Sequence, residues 1–181
     1  MRYLILLGLC LFTSNTIAWT NKYDATIKKW SGIYTPSIDW RLNKAQFIQE
    51  SGLRATVKSR VGATGISQIM PRTWEELERK LKIKGSALNP NLNIQFGIYY
   101  MAQMMKGWSP DNRTHADRIK LAQASYNAGR GNLYKAQKKA GGANDYKSII
   151  SSLHEITGKN HKETVHYVKK IWQYWKEELA Q

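Results

Sequence analysis

The chain has 181 residues, with 28 Lys and Arg against 13 Asp and Glu, a formal net charge of +15 and a single cysteine. Cys10 alone excludes a disulfide framework and a cysteine-rich zinc site, and a 42% hydrophobic, 11% aromatic composition excludes intrinsic disorder. The length fits one domain. The charge excess predicts an anionic partner without choosing between nucleic acid, an anionic membrane surface and an acidic polymer.

The first eighteen residues read as an address. Arg2 opens an apolar run from Tyr3 to Phe12, polar residues follow, and Ile17-Ala18 precede Trp19. A charged start, a short apolar core and a small residue at the end describe a secretory signal peptide cut after Ala18. Its core is too short for a span, which needs about 20 residues, although a signal-anchor is the alternative. Removal would take away Arg2 and Cys10, leaving a cysteine-free exported domain over residues 19–181, periplasmic or extracellular, that meets a membrane only through its leader. Nothing in the chain calls for more than a monomer.

The remainder reads as helices. Ile38, Leu42, Ala45 and Ile48 step by four, three and three along one face, with Ser37 as N-cap. The stretch from Arg54 to Ile69, with Val57, Val61, Gly62 and Gly65, is where short extended pieces would sit. Thr73-Trp74-Glu75-Glu76 has the spacing of a capping box; Leu77 and Leu81 follow, and Gly85 stops that helix. After Pro90, the stripe Ile94, Ile98, Met101, Met105 and Trp108 is the clearest amphipathic pattern in the chain. Thr114 caps a further helix that ends near Gly129, and Thr164, Val168, Ile171, Trp175 and Leu179 mark a last one. The fold class is mainly α, with at most a small β element.

Two sets of acid–base groups compete for chemistry. Glu50 ends a helix, with Phe47 and Ile48 before it and Gly52 after it. A carboxyl against apolar walls holds its proton to higher pH, because desolvation penalises the charged form, and can donate that proton to a leaving oxygen. His154, His161 and His166 lie near Glu155 and Glu163, but none has the His-Glu-x-x-His spacing of a metal site. No nucleophile elbow, P-loop or dinucleotide fingerprint is present. The sequence therefore calls for no metal and no cofactor.

Four segments in order resemble one family. Glu50-Ser51-Gly52-Leu53 followed by Gly62-Ala63-Thr64-Gly65-Ile66-Ser67-Gln68-Ile69-Met70-Pro71 is similar to the signature of the soluble lytic transglycosylase domain. Asn93-Ile94 with Gly97 and Tyr100, then Ala124-Ser125-Tyr126-Asn127-Ala128-Gly129, then Glu163-Thr164-Val165-His166-Tyr167-Val168 match its later motifs. The resemblance runs from about Ile38 to Ile171.

That resemblance implies a lysozyme-like helical fold with a groove, and peptidoglycan glycan strands as substrate. It implies Glu50 as the catalytic acid and then base, working without a second carboxylate. Ser51 would hydrogen-bond near the substrate acetamido group or the Glu50 carboxyl. Gln68 and Met70 would line the groove, Tyr126 and Asn127 would hold sugar hydroxyls or acetamides, and Tyr167 would reach Glu50 with its hydroxyl. Glu163 would be structural, as a buried ion-pair partner. No acidic residue lies between Ser51 and Trp74, which suits one carboxylate, although Asp39 could approach in space.

Departures from the family pattern are Ala55 for a common proline, Arg54 for Asp or Asn, Ser67 for an apolar residue and Ser125 for Ala. Ser67 and Arg54 are the two expected to alter the groove. Lysines from Lys135 to Lys176 load the last third. They would draw the chain to an anionic wall polymer, and no nucleic-acid recognition motif accompanies them. Two other readings stay open: a hydrolytic muramidase with an Asp across from Glu50, and a non-catalytic binder of murein or anionic polymer.

Overall fold

The computed structural model describes residues 19–109 and 112–179; the predicted leader lies outside the described residues. Its helices in order are α1 (Asp24–Tyr34), α2 (Trp40–Ser51), α3 (Pro71–Leu81), α4 (Pro90–Gly107), α5 (His115–Ala128), α6 (Arg130–Lys139), α7 (Tyr146–Ser151), α8 (His154–Thr157) and α9 (His161–Leu179), with a short 3-10 turn (Gly158–Asn160) leading into α9. Extended backbone among the described residues amounts to two isolated antiparallel bridges, Lys58 with Thr64 and Thr64 with Ile69. They fall inside the stretch from which extended pieces were expected.

Helix α4 serves as the spine because apolar residues occupy most of its circumference. Met101, Met104 and Met105 join the largest core cluster, with Leu42 of α2, Leu121 of α5, Leu133 of α6 and Ile171 of α9. Ile94 and Ile98 join a second, with Ile27 of α1, Phe47 of α2 and Ile66. Phe96 meets Trp74 and Leu77 of α3 in a third. A helix that is apolar nearly all round has to be surrounded, and α4 is.

Helix boundaries differ from the predicted ones for local reasons. Asp39, not Ser37, caps α2, its carboxylate accepting from the Arg41 N–H at 3.0 Å. Helix α3 starts at Pro71, whose missing N–H costs nothing in a first turn, so Thr73 lies inside the helix rather than capping it. That helix stops at Leu81, with Lys82 in the left-handed region at φ 56°, before Gly85 is reached. Thr114 does cap α5, accepting from Asp117 N–H at 3.1 Å. Helix α9 begins at His161, one turn ahead of its first apolar marker.

Helix α1 was not predicted, although Tyr23, Ile27, Trp30 and Tyr34 step by four, three and four into the second core cluster; polar contacts add to that packing. Asn43 of α2 donates to Ser31 Oγ at 2.9 Å and to Thr35 Oγ1 at 3.0 Å, all three groups buried. Beside Asn43, the Lys44 side chain is only 4% exposed, 3.1 Å from Asp24 Oδ1 and 2.7 Å from Glu178 Oε2. One ammonium thus ties α1, α2 and the end of α9 together. Breaking a buried pair strands an uncompensated charge, so Lys44→Met should lower unfolding stability by about 3 kcal/mol or more. Urea denaturation measures this, and much of the loss should return when Asp24→Asn and Glu178→Gln are added to Lys44→Met.

Candidate active site

Glu50 occupies the last turn of α2, which Gly52 ends in a left-handed conformation at φ 61°. The residue is half-buried, and the desolvation of its carboxyl pushes its pKa up to about 8. A hydrogen bond from Tyr167 Oη to Glu50 Oε1 at 2.5 Å works against that shift, and the negative charge of Glu163 adds to it. Burial is the largest influence, so Glu50 holds its proton at neutral pH.

Tyr167 reaches Glu50 from α9, a buried residue arriving from 117 positions away. Burial also raises the pKa of Tyr167 well above the usual phenol range. It therefore stays a hydrogen-bond donor. Tyr126 of α5 is the second phenol near the carboxyl; its pKa is raised by burial first and then by the charge of Glu50. Its hydroxyl donates to the Ser67 carbonyl at 2.8 Å, and its ring lies 4.8 Å from that of Tyr100 on α4.

The loop after Gly52 is clamped to α4 by Asn93, which is fully buried. Asn93 Oδ1 accepts from the Ser67 N–H at 2.7 Å, and its amide donates to the Thr64 carbonyl at 3.0 Å and the Ala87 carbonyl at 2.9 Å. The Ser67 hydroxyl lies 2.9 Å from the Asn93 carbonyl oxygen and 2.8 Å from Oδ1. Two glycines make room. A Cβ on Gly65 would lie 2.4 Å from Asn93 Nδ2, and one on Gly97 would lie 2.4 Å from Ser67 Cβ.

The sequence-predicted residues fall into two groups. Tyr126 and Tyr167 surround the Glu50 carboxyl, and Met70 is 42% exposed at the start of α3. Asn127 lies beside α9, its Oδ1 accepting from the Thr164 hydroxyl at 2.8 Å. It borders a cavity of about 200 Å³ with Asn132, Asn160 and Glu163. Ser51 behaves differently: buried, its hydroxyl is 2.8 Å from the Ile66 carbonyl and 3.3 Å from that of Phe47, so it ties the helix end to the loop and does not point at the Glu50 carboxyl. Gln68 sits at φ 47°, and its amide donates to the Gly65 carbonyl at 2.9 Å and the Val57 carbonyl at 3.2 Å, bracing the loop from within.

Several expectations change. Glu163 is exposed, not a buried ion-pair partner, and contributes through its charge on Glu50. Ser67 is fully buried, so its hydroxyl binds Asn93 instead of altering the groove. Arg54 turns back to donate to the Ser51 carbonyl at 2.7 Å. Ser125 accepts from the Trp108 indole N–H at 2.8 Å, which gives a physical reason for a hydroxyl there. Asp39 is roughly three helical turns from Glu50 and is paired with Arg41 at 2.7 Å. Sequence reasoning missed Gln46, one turn before Glu50 and buried, whose amide approaches the Tyr167 hydroxyl without forming a hydrogen bond of ordinary geometry. Its i, i+4 spacing to Glu50 was the available signal.

Three kinds of likeness to known proteins agree with this geometry. Residues 25–149 match the family model described as the transglycosylase SLT domain. The chain is 32% identical over 126 residues to a membrane-bound lytic murein transglycosylase F of Pseudoalteromonas translucida, covering 68% of this chain and 26% of that protein. It is 31% identical over 169 residues to the protein of the same name in Shewanella pealeana, covering 85% of this chain and 33% of that protein. The chain thus spans a third or less of the length of these curated relatives. Among solved structures, the 70 kDa soluble lytic transglycosylase of Escherichia coli superposes with a TM-score of 0.68 at 26% identity, over 88% of this chain and 24% of the other. A complex of the 70 kDa soluble lytic transglycosylase with bulgecin A gives 0.71 at 26% identity, over the same shares.

The position of the Glu50 proton affects stability. The folded chain holds it more tightly than the unfolded chain, whose carboxyl titrates near 4.5, so the stabilisation is full below that pH and is lost as pH rises through about 8. Glu50→Gln should therefore match the native chain in Tm at pH 4, exceed it increasingly up to about pH 8, and keep a constant margin above that. Thermal melts across that range measure the difference.

Proposed function

The chain belongs to the transglycosylase SLT domain family, and on that premise we propose that it is a peptidoglycan lytic transglycosylase in which Glu50 is the only catalytic carboxyl. The observation that carries the reading is a carboxyl with a pKa of about 8, hydrogen-bonded by a buried phenol at 2.5 Å.

Glu50 starts protonated, so it can give its proton to the glycosidic oxygen as the bond from C1 of N-acetylmuramic acid breaks. Positive charge grows at C1 and is met by the sugar's own 2-acetamido oxygen in place of a second carboxylate. Glu50 is then an anion, and Tyr167 is already placed to donate to it. The anion takes the proton of the C6 hydroxyl as that oxygen attacks C1. A 1,6-anhydro end forms and Glu50 is protonated again. Because nucleophile and electrophile belong to one sugar, the attack gains from proximity. Asp39, the carboxylate a muramidase arrangement would have drawn on, is held at the far end of α2 by Arg41, which supports the one-carboxylate route.

Substrate contacts follow from placement. The Tyr126 ring offers apolar surface near Glu50, Met70 offers an exposed apolar side chain at the start of α3, Asn127 offers an amide at the cavity shared with Glu163, and Gln68 and Ser51 hold the loop between them. Among the described residues no helix is long and apolar enough to cross a membrane. We place the domain outside the cytoplasmic membrane, delivered by the leader and acting as a monomer on the wall, where its positive charge favours encounter with anionic murein. The membrane-bound lytic murein transglycosylases among its relatives support that location.

Mass spectrometry of murein digests tests the reaction: 1,6-anhydromuropeptides are expected, and reducing-end muropeptides in their place would overturn it. Glu50→Gln should abolish product while its circular dichroism stays native. Tyr167→Phe removes the one hydrogen bond that favours the Glu50 anion, so kcat should fall at least tenfold. The alkaline limb of the pH–rate profile, expected near pH 8 in the native chain, should move upward in Tyr167→Phe.

A further inference from the structure

A second concavity lies on the side of α9 that faces α5 and α7, with a volume of about 500 Å³. None of its lining residues belongs to the Glu50, Tyr126 and Tyr167 cluster. On α9 it takes Val165, Lys169, Trp172 and Lys176, which step by four, three and four along one face; Lys120 comes from α5 and Tyr146 opens α7.

Its chemistry is uneven in an informative way. Val165 is 39% exposed at the floor. The Trp172 indole is anchored by its N–H to Gln123 Oε1 at 3.0 Å. The Lys120 ammonium lies over two rings at once, 4.8 Å from the Trp172 centroid and 5.8 Å from that of Tyr146. Lys169 and Lys176 are exposed at the rim. Among the described residues none of the three lysines is paired with a carboxylate, and no acidic side chain lines the groove. The nearby Asp117 is occupied, accepting from the Tyr146 N–H at 3.1 Å and from the Thr114 hydroxyl at 2.6 Å.

We propose that this groove docks an acidic amphipathic peptide segment of a partner protein. An aliphatic or aromatic side chain enters over Val165 beside Trp172, and flanking carboxylates meet Lys120, Lys169 and Lys176. Three features select that occupant. The apolar lining forms a concavity of about 500 Å³, which an inserted side chain fills and a flat lipid surface does not. The Lys120 ammonium takes up one face of Trp172 and of Tyr146, which leaves less ring surface for a sugar to stack on. Three unpaired cations around an apolar floor complement the alternating character of an acidic helix laid into a groove.

The test is fluorescence anisotropy on the whole chain with a fluorescein-labelled peptide carrying leucine and phenylalanine on one helical face and glutamates on either side of it. Saturable binding is expected. The doubly substituted Lys169→Glu, Lys176→Glu chain should bind at least tenfold more weakly, and Val165→Asp, a change at an exposed position, should do the same. The doubly substituted Lys28→Glu, Lys29→Glu chain alters net charge equally on exposed positions of α1 and should change affinity less than twofold. Absence of saturable binding overturns the proposal, as does equal weakening by the α1 pair, which would reduce the effect to net charge. Val165-dependent binding to phosphatidylglycerol vesicles without peptide binding also overturns it, in favour of a lipid surface. Murein cleavage is not the readout, so a failure here leaves the assignment of Glu50 untouched.

Discussion

Keeping a carboxylic acid protonated near neutral pH requires removing water from it on several sides together, and no single helix can do that. Glu50 achieves it at the place where α2 meets α9, with Tyr126 of α5 closing a further side. The remainder of the fold serves that desolvation. The Lys44 bridge to Asp24 and Glu178 holds the shaft of α2 to α1 and α9, while Tyr167 fixes its end. Were α9 to move away by the width of a water molecule, the hydrogen bond and the desolvation would be lost together, and the carboxyl would return toward an ordinary acid.

The two opposing influences on Glu50 match the two halves of the proposed reaction. Burial favours the neutral acid needed first, and Tyr167 favours the anion needed second. A site with burial alone would give up its proton reluctantly and be a poor acid; one with several donors would already be ionised and have no proton to give. One short hydrogen bond against a dry wall leaves the group between these extremes.

Much of this was legible in the sequence, for identifiable reasons. Glu50, Tyr126 and Tyr167 stand in motifs whose order and spacing were visible, and those residues meet in space. The long stripe on α4 was visible because it is apolar and periodic. Helix α1 was overlooked although Tyr23, Ile27, Trp30 and Tyr34 step by four, three and four into the second core cluster; two of the four stay partly exposed, and hydrogen bonds from Asn43 to Ser31 and Thr35 supply the rest of its anchoring. Helices α6 to α8 are short and leaned on by neighbours; α6 buries only Leu133 and Ala136. The roles of Ser51, Ser67 and Gln68 were the hardest to read. A polar residue beside a catalytic group looks the same in sequence whether its hydrogen bonds go to substrate or to the backbone behind it. Glu163 was misjudged for the same reason, since exposure depends on how α9 is turned.

Asn93 has a consequence for how such a domain diversifies. It fixes Thr64 and Ser67 from α4, which is itself held by three core clusters, so the reactive end of the loop takes its position from the spine and not from the chain leading up to it. Before Thr64, the side chains of Thr56, Lys58, Arg60 and Val61 are exposed, while the backbone at Val57 and Lys58 stays tied to Gly65, Gln68 and Thr64. Mutation can recharge those side chains while the acid stays where it is. The domain therefore separates an inheritable frame from a variable border, and descendants can change that border without first losing the buried acid.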